Sequence, residues 1–204
     1  MIISIDGPAA SGKGTIAKGV AARLGLKHLD SGLFYRAFND IQARVPMLDA
    51  KSFLAEFHKI DVSRLRDENH AQAAAVIATE PTVRKLINDV MRLEAKELGK
   101  HFSGVIIDGR DIGTVVFPKA AAKLFITASV EARAHRRFLE MRRRGAGVNL
   151  LEMQDDLRRR DERDRSRAVA PLVPAPDAMV IDTSDLDKDE AVAAAIVAIE
   201  RAIG

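Results

Sequence analysis

Residues 2–15 read IISIDGPAASGKGT, and this stretch decides the fold. Its first part, Ile2 to Ile5, is a short run rich in β-branched residues, which is typical of a buried strand. A glycine-rich part then breaks the strand, and apolar residues at positions 16, 20 and 24 follow at helical spacing. The sequence therefore predicts a strand, a tight loop and a helix that begins near Lys13.

The loop between this strand and helix has the composition of a phosphate-binding loop. Its glycines let successive backbone N–H groups point inward at the positive end of the helix dipole, and Lys13 adds a mobile charge for the β- and γ-phosphates of a nucleoside triphosphate. An ordinary tight turn is the alternative interpretation. The residues that we expect to bind the triphosphate are Gly7, Pro8, Ala9, Ala10, Ser11, Gly12, Lys13, Gly14 and Thr15.

One departure from the strict loop pattern concerns the metal. The strict pattern has Ser or Thr directly after the lysine, where the hydroxyl contacts Mg²⁺, but here Gly14 stands between Lys13 and Thr15. We therefore expect Mg²⁺ to be held mainly by phosphate and water, with Thr15 as the only protein ligand considered.

Composition indicates a single ordinary domain. The chain has 204 residues, of which 47% are hydrophobic, enough for a real core, and its net charge of +3 does not demand a nucleic-acid partner. The absence of cysteine excludes disulfides, thiolate catalysis and cysteine-ligated zinc, and the five histidines lack metal-ligand spacing. Because no apolar run reaches the length of a membrane span and no leader pattern precedes the first strand, we expect a cytoplasmic protein.

Four further apolar runs predict strands that are buried on both faces. They lie at residues 27–30, 104–108, 123–127 and 179–182. Continuous rather than alternating hydrophobicity is typical of a parallel sheet covered by helices on both sides. Together with the first strand, these runs predict an α/β fold of the three-layer P-loop NTPase type, with a five-stranded parallel sheet flanked by helices.

Polar residues stand at the ends of these strands, where the loops of an open α/β sheet bind ligands. Residues 29–36, LDSGLFYR, follow the second strand; Ser31 is predicted to cap the next helix and Arg36 to reach a phosphate site. Residues 107–118, IDGRDIGTVVFP, place Arg110 beside Asp111 between glycines, which indicates binding rather than packing. For Asp182, helix capping is the favoured interpretation.

An arginine-rich segment runs from Glu131 to Arg167, interrupted by the glycine-containing stretch 145–149, which could serve as a hinge. Interleaved acidic residues favour solvated helices with ion pairs for most of these arginines, including the run 142–144. For a subset we predict a lid that closes over ATP and places arginines on the transferring phosphoryl group. The members proposed for this role are Arg158, Arg160 and Arg163.

Four motifs, at residues 7–15, 29–36, 107–118 and 163–172 (RDRSRAVAPL), together resemble the successive signatures of bacterial cytidylate kinases. The resemblance extends from end to end of the chain. It implies the nucleoside monophosphate kinase fold and transfer of the γ-phosphoryl group of ATP to CMP or dCMP, with Mg²⁺. It also implies one kinase domain over residues 1–204, with a core (1–30, 103–130 and 168–204), a monophosphate-binding segment at about 31–102 and a lid at about 141–167.

The resemblance assigns roles to matching positions. Arg36, Arg110 and Arg167 match arginines that clamp the acceptor phosphate, and Ser31 matches a residue at the acceptor pocket. Arg84 and Asp111 match residues that read cytosine, while Arg160 and Asp164 match residues near the ribose. The residues predicted to be catalytic are Lys13, Arg110, Arg160 and Arg163. Arg158 is predicted to contact ATP.

Two departures leave the choice of acceptor open. The run from Pro46 to Ile60 is too short for the small antiparallel sheet that relatives often carry, which predicts a reduced monophosphate-binding insert, and Ala75 stands where relatives place a serine near the base. UMP or AMP is therefore an alternative acceptor. A nucleotide-regulated RNA-binding protein is a more distant alternative, disfavoured because the chain has one Tyr and no Trp for base stacking. We expect a monomer, without a membrane or nucleic-acid partner.

Overall fold

The computed structural model of this chain describes residues 1–45, 47–143 and 145–204. Pro46 and Arg144, which belong to the predicted short insert and to the arginine-rich segment, lie outside the described residues. One parallel sheet has the strand order β2-β3-β1-β4-β5. Its strands are β1 Ile2–Asp6, β2 Lys27–Asp30, β3 Val105–Gly109, β4 Ala122–Thr127 and β5 Met179–Asp182. The predicted five-stranded parallel sheet is confirmed.

Helices surround this sheet. They are α1 Lys13–Leu24, α2 Ser31–Gln42, α3 Ala50–Phe57, α4 Glu68–Ile77, α5 Pro81–Leu98, α6 Val130–Arg143, α7 Leu150–Arg165 and α8 Lys188–Ile203. A 3₁₀ turn spans Val62–Arg66 and a single π-helical turn spans Ile112–Val116. Within the described ranges, no helix is both long enough and apolar enough to span a membrane.

The central strands are buried on both faces, and this explains their continuous hydrophobicity. Ile3, Ile5 and Ile106 pack against the apolar sides of α1 and α8, while Leu29 and Ile107 pack against α2 and α5 on the opposite face. Alternate residues of β1 and β3 thus enter two separate cores. The resulting three layers place the carboxyl ends of β1, β2 and β3 at one edge of the sheet.

The segment between β2 and β3 consists of helices. It contains α2 to α5 and the 3₁₀ turn, and its described residues contribute no strand. The aromatic rings of Phe34, Phe53 and Phe57 pack together, with centroids of Phe34 and Phe57 4.6 Å apart. This cluster joins α2 to α3, and the helical segment sits directly on the α2 and α5 side of the sheet.

A smaller apolar cluster joins the arginine-rich helices to the phosphate loop. Met153 and Leu157 of α7 are buried against Ala134 of α6 and Ala9 of the loop. This narrow apolar contact is one of the links that hold α7 over the sheet edge.

Candidate active site

The phosphate loop is shaped by two glycines. Gly12 caps α1 with a φ of 83°, in the left-handed region that glycine adopts without strain. Gly7 lies so close to β4 that a β-carbon there would be 2.1 Å from the carbonyl oxygen of Ile126. Any larger residue at position 7 would push the loop away from the sheet edge.

Lys13 extends from the first turn of α1 back into the loop. Its side chain is 7% exposed, and Nζ donates to the carbonyl oxygen of Pro8 at 3.0 Å. Burial, and secondarily the charge of Arg110, lowers the pKa of Lys13 from 10.5 to about 7. An anion bound in the loop would stabilise the ammonium form.

Asp6, at the end of β1, fixes the loop that follows β3. Its Oδ1 accepts from the backbone N–H of Ile112 at 2.8 Å and its Oδ2 from that of Gly113 at 2.7 Å. Burial raises the pKa of Asp6 to about 6, and this effect outweighs the two hydrogen bonds, which favour the ionised form. The pair of bonds places Arg110 and Asp111 beside the phosphate loop.

The second predicted loop differs in one detail from expectation. Asp30, rather than Ser31, caps α2, since its carboxylate accepts from the N–H of Gly32 at 3.1 Å. Ser31 is already the first helical residue, and its hydroxyl donates to the carbonyl oxygen of Asp108 at 2.6 Å. The prediction that Ser31 is the cap is therefore wrong, because the hydroxyl is engaged by the neighbouring strand.

Arg84 of α5 and Asp111 form an ion pair that is almost completely buried. Arg84 is 4% exposed and Asp111 5% exposed, and Nη1 of Arg84 also donates to the carbonyl oxygen of Ala78 at 3.0 Å. A buried pair of this kind fixes both side chains, because separation would leave an uncompensated charge.

Asp164 of α7 binds two arginines at once. Its Oδ2 accepts from Nε of Arg110 at 2.9 Å, and its Oδ1 accepts from Nη2 of Arg167. Burial lowers the pKa of Arg167, partly offset by the charge of Asp164. This triad joins the loop after β3 to the end of the arginine-rich helix.

These groups line one cavity of about 290 Å³ at the carboxyl edge of the sheet. The predicted site residues that line it are Ala9, Ala10, Lys13, Ser31, Arg36, Arg84, Arg110, Asp111, Arg160, Arg163, Asp164 and Arg167. Gly7, Pro8, Ser11, Gly12, Gly14 and Thr15 belong to the same loop but not to the lining. Arg158 lies outside it, exposed, with its guanidinium bound to Asp155 and Glu131. A role for Arg158 at ATP stays a prediction.

Comparison with known proteins decides the family. The family model described as cytidylate kinase matches residues 3–201. The chain belongs to the cytidylate kinase family. It is 49% identical over 210 residues to the cytidylate kinase of Methylocella silvestris, covering 99% of this chain and 95% of the relative. It is 50% identical over 204 residues to that of Paramagnetospirillum magneticum, with 96% and 95% covered.

Solved structures agree on the fold. The crystal structure of TT1252 from Thermus thermophilus superposes with a TM-score of 0.55 at 18% identity, covering 100% of this chain and 98% of that one. An uncharacterized protein from Eubacterium ventriosum gives a TM-score of 0.52 at 15% identity, with 98% of each chain covered. At such identities these likenesses concern the fold alone.

In this member of the cytidylate kinase family, the arginine-rich helices are not uniformly solvated. Arg133 is 2% exposed and forms a buried ion pair with Asp161 of α7, with Nη1 to Oδ1 at 3.0 Å. The interpretation of a solvated ion-pair helix is therefore wrong at this position. The sequence does contain an indication that Arg133 is buried, because small residues, Ala132 and Ala134, flank it in an otherwise charged run.

Two further residues escaped the sequence analysis. The Tyr35 hydroxyl is buried beside the cavity without a hydrogen-bond partner among the described residues, and burial raises the pKa of Tyr35 to about 12. His28 of β2 lies 2.6 Å from Asp108 through its Nε2, although its spacing gave no hint of a partner. Only the pairing of β2 with β3 brings these two side chains together.

Proposed function

We propose that this chain transfers the γ-phosphoryl group of ATP to CMP or dCMP, giving ADP and CDP or dCDP. The observation that carries the proposal is a shared cavity: Lys13 of the phosphate loop lines the same volume as the Arg84 and Asp111 pair and the Asp164 triad. A triphosphate at the loop and a monophosphate at the arginines would thus face each other, as phosphoryl transfer requires.

The reaction needs no general base. The second pKa of a phosphate monoester is about 6, so the acceptor oxygen is already ionised at neutral pH. The work of the protein is to align two anions and to offset their repulsion with Lys13 and the guanidinium groups of Arg36, Arg110 and Arg167. Arg160 and Arg163, which line the cavity from α7, are proposed to contact the transferring group.

Selection of the base is proposed to rest on Asp111. A carboxylate accepts from the exocyclic amine of cytosine, which uracil lacks, and Arg84 keeps this carboxylate in place. Ala75 lines the cavity with three other alanines of this region, Ala71, Ala74 and Ala78, so this wall offers no side-chain hydrogen bond to the base. Discrimination between cytosine and other bases is therefore assigned to Asp111 and Arg84.

The chain offers oxygen donors that fit Mg²⁺ bound to ATP. Asp108 lines the cavity, and its Oδ2 would lie 3.6 Å from a β-carbon built on Gly14, beside the phosphate loop. Asp108 is the group that would hold the ion, through water or directly, whereas Thr15 lies outside the lining and its role as a metal ligand stays a prediction. Among the described residues, no group of three His, Cys, Asp or Glu side chains that could hold a metal ion occurs. Bound Mg²⁺ would supply charge neutralisation at the phosphates.

The test is ADP formation from ATP and Mg²⁺ with CMP, dCMP, UMP, AMP and GMP offered in parallel, next to a control without acceptor. We expect turnover that depends on the acceptor and favours the two cytidine nucleotides. A preference for UMP or AMP would keep the kinase and reject the assignment of Asp111. Absence of turnover above the control with every acceptor would overturn the proposal. A cytoplasmic location and a monomeric state stay predictions.

A further inference from the structure

Asp108 holds a histidine on one side and faces the phosphate loop on the other. Nε2 of His28 lies 2.6 Å from Oδ1 of Asp108, and the two side chains are 13% and 9% exposed. An ionised carboxylate only accepts hydrogen bonds, so the proton of this contact belongs to the imidazole. Nothing in the acceptor or triphosphate assignments uses His28.

The position of this pair follows from the sheet register. His28 pairs with Ile106 and Asp30 with Asp108 in the parallel ladder of β2 and β3. Because side chains two residues apart share a face, Asp108 lies on the same face as Ile106, which α1 covers. Its second oxygen therefore stands beside the first turn of α1, next to Gly14.

We propose that His28 is a positioning residue for the nucleotide-bound metal: it holds Oδ1 of Asp108 and thereby directs Oδ2 toward Mg²⁺ at the phosphate loop. This inference rests on the proposed function, since it takes MgATP as the ligand of the loop. Histidine and carboxylate pairs in which one group orients a metal-binding group are a common arrangement around metals.

Without His28, another charge would compete for Asp108. The carboxylate of Asp108 is one of the groups whose charge acts on Lys13, whose ammonium lies in the same cavity. A carboxylate free to rotate would turn toward this ammonium, because opposite charges attract strongly in a buried site. It would then neutralise the lysine that the phosphates need and withdraw its oxygen from the metal. The hydrogen bond from His28 prevents both losses.

The experiment compares ATP binding with and without metal, in the absence of acceptor. Calorimetric titrations with ATP in EDTA and in a series of Mg²⁺ concentrations give the affinity of Mg²⁺ for the enzyme–ATP complex. For His28→Leu we expect this Mg²⁺ affinity to fall about tenfold, as is usual when a residue that orients a metal ligand is removed. ATP affinity in EDTA should fall by less than this, because only the pairing of Asp108 with Lys13 acts on it, and the KM for CMP should stay at the wild-type value.

Two further variants distinguish a positioning role of His28 from a role in packing alone. His28→Gln keeps an N–H donor at a similar reach, and we expect it to recover most of the lost Mg²⁺ affinity. His58→Leu is the matched control, because His58 forms an exposed contact with Glu94 away from the cavity, and it should behave as wild type. If His28→Leu does not fold, His28→Met replaces it, since methionine adapts to irregular spaces and lacks the donor.

Wild-type Mg²⁺ affinity in the variants without the donor would overturn the inference. So would an equal loss of ATP affinity in EDTA and in Mg²⁺, because that would indicate a general disturbance of the sheet edge. Failure of the proposed function is visible separately: wild-type protein would form no ADP with any acceptor, although the binding titrations would still report on His28.

Discussion

Nη1 of Arg133 lies 3.0 Å from the carbonyl oxygen of Ala9 in the phosphate loop. Through the same guanidinium, Arg133 binds Asp161 on α7 and the carbonyl oxygen of Ala128 after β4. One buried side chain thus joins the phosphate loop, the sheet edge and the arginine-rich helix, so the position of the helix and the shape of the loop depend on each other.

Arg133→Met should strongly destabilise the protein. The substitution keeps the apolar stem but leaves Asp161 buried without a partner, which costs about 3 kcal/mol or more of unfolding free energy. Urea unfolding followed by circular dichroism measures this loss. Arg159→Met is the control. It removes an exposed ion pair between two residues of α7, Arg159 and Asp156, and should change the free energy of unfolding little. Equal stability of the two variants would show that the buried pair is not important for folding.

Lys13→Ala should reduce turnover by about 10²-fold or more, because removal of a single group that stabilises charge in the transition state has effects of this size. Initial rates at saturating ATP and CMP measure the change. Lys18→Ala is the matched control, since Lys18 is exposed on the same helix. Turnover of Lys13→Ala close to that of Lys18→Ala would contradict the assignment of the phosphate loop.

ATP binding should take up a proton at pH 8. With a pKa of about 7 in the free protein, Lys13 is mostly neutral at this pH, and bound phosphates should raise the pKa toward its ordinary value of 10.5. Linkage then requires that ATP affinity falls as the pH rises above 7. Calorimetry in two buffers of different ionisation enthalpy measures the uptake. Lys13→Ala should remove it; the same uptake in this variant would assign the proton to another group.

Asp111→Asn should weaken the preference for cytosine. The amide retains an acceptor but loses the charge, and a charge-assisted hydrogen bond contributes about 1.5–3 kcal/mol. The ratio of kcat/KM for CMP to that for UMP should therefore fall roughly ten- to a hundredfold. Thermal unfolding of the variant checks that the contact with Arg84 still supports the fold. An unchanged ratio with lower rates for both substrates would place base recognition elsewhere.

The fold was largely predictable because its signals are local. The glycine spacing at residues 7–14 specifies a loop conformation, and continuous apolar runs specify strands. The expected burial on both faces holds for the central strands β1 and β3 but is wrong for the edge strand β5, where Val180 is exposed. The placement of Arg110 and Asp111 beside Lys13 of the phosphate loop also followed, since parallel strands end at one edge.

The partners of individual ion pairs and hydrogen bonds could not be predicted from the sequence, because they depend on strand register and on the rotation of each helix about its axis. Arg133 and Arg159 lie in equally charged sequence, yet only Arg133 faces the phosphate loop. The contact between His28 and Asp108 requires β2 and β3 to be neighbours, which no residue of either strand encodes alone. Ser31 is a further example. Serine is a common helix cap, but here its hydroxyl donates to the carbonyl oxygen of Asp108 on β3.

Because β1 lies at the centre of the sheet, the phosphate loop that follows it folds late in the synthesis of the chain. The helices between residues 31 and 98 find their contacts close by in sequence, so they can assemble early during synthesis. β1 instead pairs with β3 and β4, in the registers Ile2 with Val105 and Asp6 with Phe125. The phosphate loop is therefore synthesised before both strands that flank β1, and a nascent chain released before β4 would carry every glycine of the loop without the β4 edge that supports it.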